Sequence, residues 1–245
     1  MPSTRPKDKY AAQMIIMFAP DQAIRDNAGM IVRGLNELGW TENGKTTANI
    51  FVLEWDHLRL AMAPRDAGAE DKEEFELFKK RLTESDGAGR IYLSGHGDWA
   101  SQTLAGRKAE WVAEALKAHC PPVKLISVIG CGLGRDLGSD KTLISSSMNS
   151  FGSLLHGHLK GFCDELVARV LDISIDFGPR SRGQKGTGTF NPETRKVTDA
   201  MHHRAASKLR FVWKGGRQVR EWVLYDAVAG VLGTDDDLDR LFLSL

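Results

Sequence analysis

Residues 90–97 read RIYLSGHG and residues 124–131 read KLISVIGC. Each is an apolar block that runs into a glycine-flanked reactive residue, His96 in the first and Cys131 in the second. Apolar runs of this length predict strands covered on both faces, as in a parallel sheet. In an open parallel sheet, active side chains gather beyond the carboxyl ends of the strands. Adjacent strands ending at Ser94 and Ile129 would therefore bring His96 and Cys131 to one rim. Gly95, Gly97, Gly130 and Gly132 permit sharp turns and close approach of a substrate backbone. They also leave amide N–H groups able to hold an oxyanion.

This pair of residue types suits one chemistry. A thiol of ordinary pKa, ~8.5, is only slightly ionised at neutral pH. A neighbouring imidazole removes its proton and later protonates a leaving amine. Taken singly, Cys131 reads as a small buried hydrophobe and His96 as a turn residue. Their joint placement at two consecutive strand ends is what favours catalysis.

The flanks predict the rest of the fold. Gln13 to Ala19 is an apolar strand closed by Pro20, and Asp21 caps a helix. Ile24, Ala28, Ile31, Leu35 and Leu38 form the apolar stripe of that helix. Ala48 to Trp55 is a second strand, Glu70 to Leu82 a helix burying Phe75, Phe78 and Leu82, and Ala105 to Ala118 another helix. A Gly- and Ser-rich loop runs from Cys131 to about Asn149. Phe151, Leu155, Leu159, Phe162, Leu166 and Val170 predict one long helix, and Ile173 to Phe177 a fifth strand. Pro179 to Thr198 reads as an exposed loop and Lys208 to Leu224 as a hairpin turning at Gly215-Gly216. A short amphipathic helix starts at Asp235. Residues 1–12 read as a mobile basic tail and 13–245 as a single domain. The expected class is α/β, a mostly parallel twisted sheet of about six strands between helices, with a C-terminal β-hairpin.

Composition excludes several functions. A net charge of +1 gives no global attraction to nucleic acid or an anionic membrane. Three cysteines at 120, 131 and 163 lack the spacing of a zinc ribbon or disulfide framework, so they read as free thiols in a reducing compartment. Cys120 and Cys163 read as structural. No apolar stretch approaches the ~20 residues of a membrane span, and the N-terminus lacks a signal-peptide core. The expectation is a soluble protein, cytoplasmic or exported without such a signal. His156 with His158, and His202 with His203, are poor metal chelators and read as surface residues. Ser94 and Ser127 lie within strands, and there is no GxSxG elbow or P-loop. Asp98 either orients His96 or is a charge on the cleft rim.

The paired motif resembles clan CD cysteine peptidases, namely caspases, separase, gingipains, clostripain and legumain, in which an apolar block ends in His-Gly and a later one in Ala/Gly-Cys. Gly95 before His96 looks most like the self-processing cysteine protease domains of large bacterial toxins of the MARTX and clostridial glucosylating types. The similarity extends over roughly residues 13–225, mostly as layout. It implies a caspase-like three-layer sandwich and a dyad of Cys131 and His96. The backbone N–H groups of Gly97 and Cys131 would form the oxyanion hole. It also implies a protein or peptide substrate, self-processing included, cleaved after one preferred residue. Arg180 and Arg182 are candidates to receive an acidic P1 side chain, and Asp172 or Asp176 a basic one. No metal or organic cofactor is implied as a requirement. Those toxin domains are switched on by inositol hexakisphosphate, for which Lys208, Arg210, Lys214, Arg217 and Arg220 on the hairpin are the candidate ligands. A bacterial effector acting in a host cytosol fits this picture.

Two other readings stay open. VIGCGLG at 128–134 resembles motif I of S-adenosylmethionine methyltransferases, although three strands precede it and no acid follows between Thr142 and Phe151. A non-catalytic caspase-like scaffold is the other, opposed only by the presence of both dyad residues.

Overall fold

The computed structural model describes residues 10, 12–37, 41–42, 45–46, 50–54, 69–84, 86–137, 147–170, 173–176, 184–191, 196–201 and 208–222. Its centre is a seven-stranded mixed sheet. The strands are β1 (Ala12–Met17), β4 (Ile50–Glu54), β5 (Gly89–Ser94), β9 (Val123–Ile129), β10 (Cys163–Arg169), β14 (Lys208–Lys214) and β15 (Arg217–Trp222). Their order across the sheet is β15-β14-β10-β9-β5-β1-β4. The five strands from β4 to β10 are mutually parallel, and β14 and β15 add on antiparallel. The remaining strands are short or peripheral: β2 (Thr41–Glu42), β3 (Lys45–Thr46), β6 (Gly97–Asp98), β7 (Thr103–Leu104), β8 (Arg107–Lys108), β11 (Ile173–Asp176), β12 (Gln184–Asn191) and β13 (Lys196–Met201).

Helices cover both faces. α1 (Gln22–Glu37) lies on one, seating Ile24, Ala28 and Ile31 on Ile15, Met17 and Tyr92. α2 (Ala69–Glu84), α3 (Ala109–His119) and α4 (Phe151–His158) line the other. There Phe75, Phe78, Val112, Leu116, Phe151 and Leu155 enclose Met14, Ile16, Ile91, Leu93, Ile126 and Val128. Each such fully buried side chain contributes about 1.5–3 kcal/mol through burial. This alternation explains the unbroken apolar runs, since a strand with helices on both faces has no side left for polar residues.

The chain leaves β1 for β4 at one edge, then returns across β1 to place β5 on its other side. Right-handed crossovers then require the covering helix to change faces, as it does between α1 and α2. In open α/β sheets such a reversal is where ligand crevices form, here beyond the carboxyl ends of β1 and β5.

Three expectations need correction. The stripe from Phe151 to Val170 is not one helix. α4 stops at His158, a turn follows in which Gly161 has φ 76°, and the chain resumes as β10. A positive φ cannot continue a right-handed helix, and glycine accepts it at no steric cost. Cys163 consequently sits at a strand start. The strand at 173–176 does form, but it belongs to a separate antiparallel sheet with β12 and β13, in the stretch expected to be an exposed loop. The helix expected from Ala105 begins at Ala109, because residues 97–108 first make the small meander β6-β7-β8. The hairpin turns at Gly215-Gly216 as expected. Most of the 1–12 tail and the helix from Asp235 lie outside the described residues.

Candidate active site

The register of the central strands sets the site. Ser94 of β5 pairs with Ile129 of β9, so His96 and Cys131 both stand two residues beyond a matched pair. Neighbouring strands are about 4.8 Å apart, which places the two residues side by side on one rim. The Gly95 amide donates to Ile129 O at 3.2 Å and carries the pairing past the strand ends. Gly97 packs against the Cys131 loop so closely that a Cβ there would press into the backbone N and O of Cys131. Cys131 is half-buried and His96 is exposed.

β1 brings a third residue to the same rim. Asp21 follows β1 and caps α1, its Oδ1 accepting from the Ile24 amide at 3.0 Å. Its Oδ2 lies 2.7 Å from His96 Nε2. The hydrogen bond from His96 holds the Asp21 carboxyl below the usual carboxylate range, with the Ile24 amide adding to the effect. With Nε2–H committed to Asp21, the neutral imidazole keeps its lone pair on Nδ1. Asp98, the orienting residue considered from sequence, does something else. Its Oδ1 accepts from the Ala100 and Ser101 amides and its Oδ2 from the Ser101 hydroxyl, so it shapes the turn after His96. These bonds, led by the Ser101 hydroxyl, lower its carboxyl pKa.

The other candidates are distributed as follows. Ser94 Oγ accepts from Asn27 Nδ2 at 2.9 Å, and Ser127 Oγ from Arg90 Nη2 at 2.8 Å, so both are strand residues in polar contacts. Cys120 and Cys163 are buried, and burial pushes both thiols up to about 12, far from any nucleophile's range. His156 is not a surface residue as expected. It is fully buried and stacks on Trp213, with ring centroids 4.6 Å apart. Its Nδ1 is 3.0 Å from Gln218 Nε2, and burial lowers its pKa. No group of three or more metal-ligating side chains occurs among the described residues.

The substrate-pocket candidates Arg180, Arg182 and Asp172 lie outside the described residues, as does the His202-His203 pair. Asp176 is described as the last residue of β11. On the hairpin, Arg210 contacts Glu165 at 2.6 Å and Glu221 at 3.2 Å, and Lys214 also pairs with Glu221. The Glu165 contact, first, raises the Arg210 pKa. These residues line an open concavity with Asp164, Val212 and Trp213, so two of the expected phosphate ligands already face carboxylates. Arg217 is exposed at the turn, and Lys208 starts β14 half-buried. No helix among the described residues is long and apolar enough to cross a membrane.

No protein-family model matches this chain, and no curated protein matches it.

Proposed function

We propose that the chain is a cysteine endopeptidase of the caspase-like kind. The observation that carries this reading is the matched strand-end placement of His96 and Cys131, with Asp21 hydrogen-bonded to the imidazole. His96 Nδ1 takes the proton of the Cys131 thiol. The sulfur attacks the scissile carbonyl carbon and forms a tetrahedral adduct. The N–H groups of Gly97 and Cys131 are the proposed donors to its oxyanion. Collapse breaks the C–N bond and leaves a thioester, while the imidazolium gives its proton to the departing amine. Water, deprotonated by His96, then attacks the thioester, and the thiol is regenerated as the acid is released. Asp21 stabilises the imidazolium formed in each half-reaction.

The seven-stranded sheet with helices on both faces supports the three-layer caspase-like architecture, again as a proposal. The substrate is a protein or peptide. Arg180 and Arg182 remain the proposed acidic-P1 ligands and Asp176 the basic-P1 ligand. Inositol hexakisphosphate remains the proposed activator, with Lys208, Arg210, Lys214 and Arg217 as ligands. It would have to compete with Glu165 and Glu221 for Arg210 and Lys214.

The test is intact-protein mass spectrometry after incubation with peptidyl acyloxymethyl ketones carrying Leu, Asp, Arg or Lys at P1, with and without inositol hexakisphosphate. One adduct on Cys131, lost in His96→Ala, supports the dyad and names the P1 preference. No adduct under any condition removes the peptidase reading and brings forward the scaffold or, if S-adenosylmethionine binds, the methyltransferase.

A further inference from the structure

The segment that carries Cys131 is braced from several directions. Trp99 Nε1 donates to Asp136 O at 3.2 Å, and Gln102 Nε2 to Arg135 O at 3.1 Å. The Gly134 amide donates to Arg169 O at the end of β10, and the Gly152 amide of α4 to Leu133 O. The brace at Asp136 is made with charge. Its carboxylate is fully buried five residues beyond Cys131. Oδ1 accepts from the amides of Asn149 and Ser150 at 3.1 and 3.0 Å. Oδ2 accepts from Arg220 Nη1 at 2.6 Å, and the Arg220 side chain is only 14% exposed.

Arg220 comes from β15, separated from β9 in the sheet by the two intervening strands β14 and β10. Strand alternation puts it on the hairpin face that carries Gln218, whose Nε2 donates to Ser153 O at 2.8 Å in α4. Arg210 and its partner Glu221 stand on the opposite face. Arg220, itself one of the five candidate phosphate ligands, is thereby on the face opposite Arg210, Lys214 and Arg217. A buried carboxylate stripped of a cationic partner is strongly disfavoured. A shift of residues 131–137 that carries Asp136 toward water would relieve this, and Cys131, five residues before it, would move with them.

We propose that Arg220 and Asp136 are a positioning pair, through which the C-terminal hairpin holds the Cys131 loop in register with His96. The proposal rests on the peptidase reading of Cys131 and His96. Neither residue touches the reacting atoms; both act through the loop.

The experiment compares the full chain with Arg220→Gln, Arg220→Lys and Glu221→Gln. It measures the rate of Cys131 labelling by the best peptidyl ketone, amide hydrogen exchange over residues 131–137, and the thermal midpoint. Arg220→Gln is expected to label on the order of ten- to a hundredfold more slowly, as misplacement of a reacting group by about 1 Å does. Its loop amides exchange faster, and Arg220→Lys recovers most of the rate. Glu221→Gln, which opens the ion pairs on the other hairpin face, labels at the full rate when both proteins are compared without inositol hexakisphosphate. Full-rate labelling of Arg220→Gln overturns the proposal. So does an equal loss in Glu221→Gln, which would make the effect one of hairpin stability. If the unsubstituted chain takes no ketone, the peptidase reading fails separately. Faster loop exchange in Arg220→Gln alone then upholds the brace, and unchanged exchange overturns it. Should Arg220→Gln not fold, Asp136→Asn makes the same comparison, because it keeps a carbonyl oxygen for the two amides and removes the charge.

Discussion

Asp21 Oδ2 and His96 Nε2 lie 2.7 Å apart across 75 residues of chain. With Nε2 engaged by Asp21, Nδ1 is the nitrogen left for the proton transfer proposed from Cys131. In Asp21→Asn the amide can offer Nε2 an N–H and stabilise the opposite tautomer. The labelling rate of Cys131 should fall on the order of tenfold or more. The acid side of the stability profile should change too. The folded Asp21 pKa is lowered, so its contribution is complete above the ordinary value of 3.8 and fades as pH falls below it. Asp21→Asn should shrink the drop in thermal midpoint between pH 5 and pH 3. An unchanged drop would contradict the assignment.

Alkylation should distinguish the three thiols without any substitution. Burial pushes Cys120 and Cys163 up to about 12, so neither offers thiolate near neutral pH. Iodoacetamide at pH 7.5 should modify Cys131 alone in the folded protein and all three after denaturation. Peptide mapping by mass spectrometry reads both states. Native modification of Cys163 would show that the start of β10 opens readily.

Gly97→Ala should be among the most damaging small changes in the site. The added methyl meets the backbone of Cys131, which cannot rotate away as a side chain would. Overpacking of this kind costs about 1–3 kcal/mol. It also pushes the two strand ends apart. The variant should fold with a lowered thermal midpoint and show no ketone labelling. Labelling at the original rate would mean that the two segments are not in contact.

His156 should contribute a pH dependence of its own. Its pKa is lowered by burial, so the unfolded chain binds a proton more readily than the folded one. Stability from the neutral ring is therefore complete above about 6.5 and declines as pH falls below it. Protonating Nδ1 would also set its new hydrogen against the Gln218 amide donor. His119 has a pKa lowered by burial and adds a decline of the same sign. His156→Gln should lessen the loss of thermal midpoint between pH 7.5 and pH 5.5, and His119→Gln should remove a further part. A slope unaltered by His156→Gln would exclude this account.

Much of the core was legible because its signals are local. VKLISVI at 123–129 is a strand over the residues expected, since a helix on either face leaves no polar side to confuse the pattern. The 151–170 segment failed for an equally physical reason. Phe151, Leu155, Leu159, Phe162, Leu166 and Val170 recur at three and four residues, which is helical spacing, yet the last two also fit the alternation of β10. Gly161 was the available breaker. Asp21 was readable as a cap because a cap is defined by its neighbours in sequence. Its bond to His96 was not, because that depends on β1 and β5 lying side by side. Arg220 was one basic residue among five on the hairpin. Only the register of β14 with β15, and the buried carboxylate it reaches, separate it from the rest.

The Asp136–Arg220 contact also has a bearing on protein synthesis. The two residues are 84 positions apart, so a ribosome releases the Cys131 loop long before it releases the strand proposed to steady it. Until β15 emerges, the nascent chain holds a thiol and an imidazole whose alignment lacks one of its supports. On the proposed peptidase reading, Cys131 is at its least reactive while the chain is still attached to the translation machinery, and reaches full reactivity only after β15 has been made.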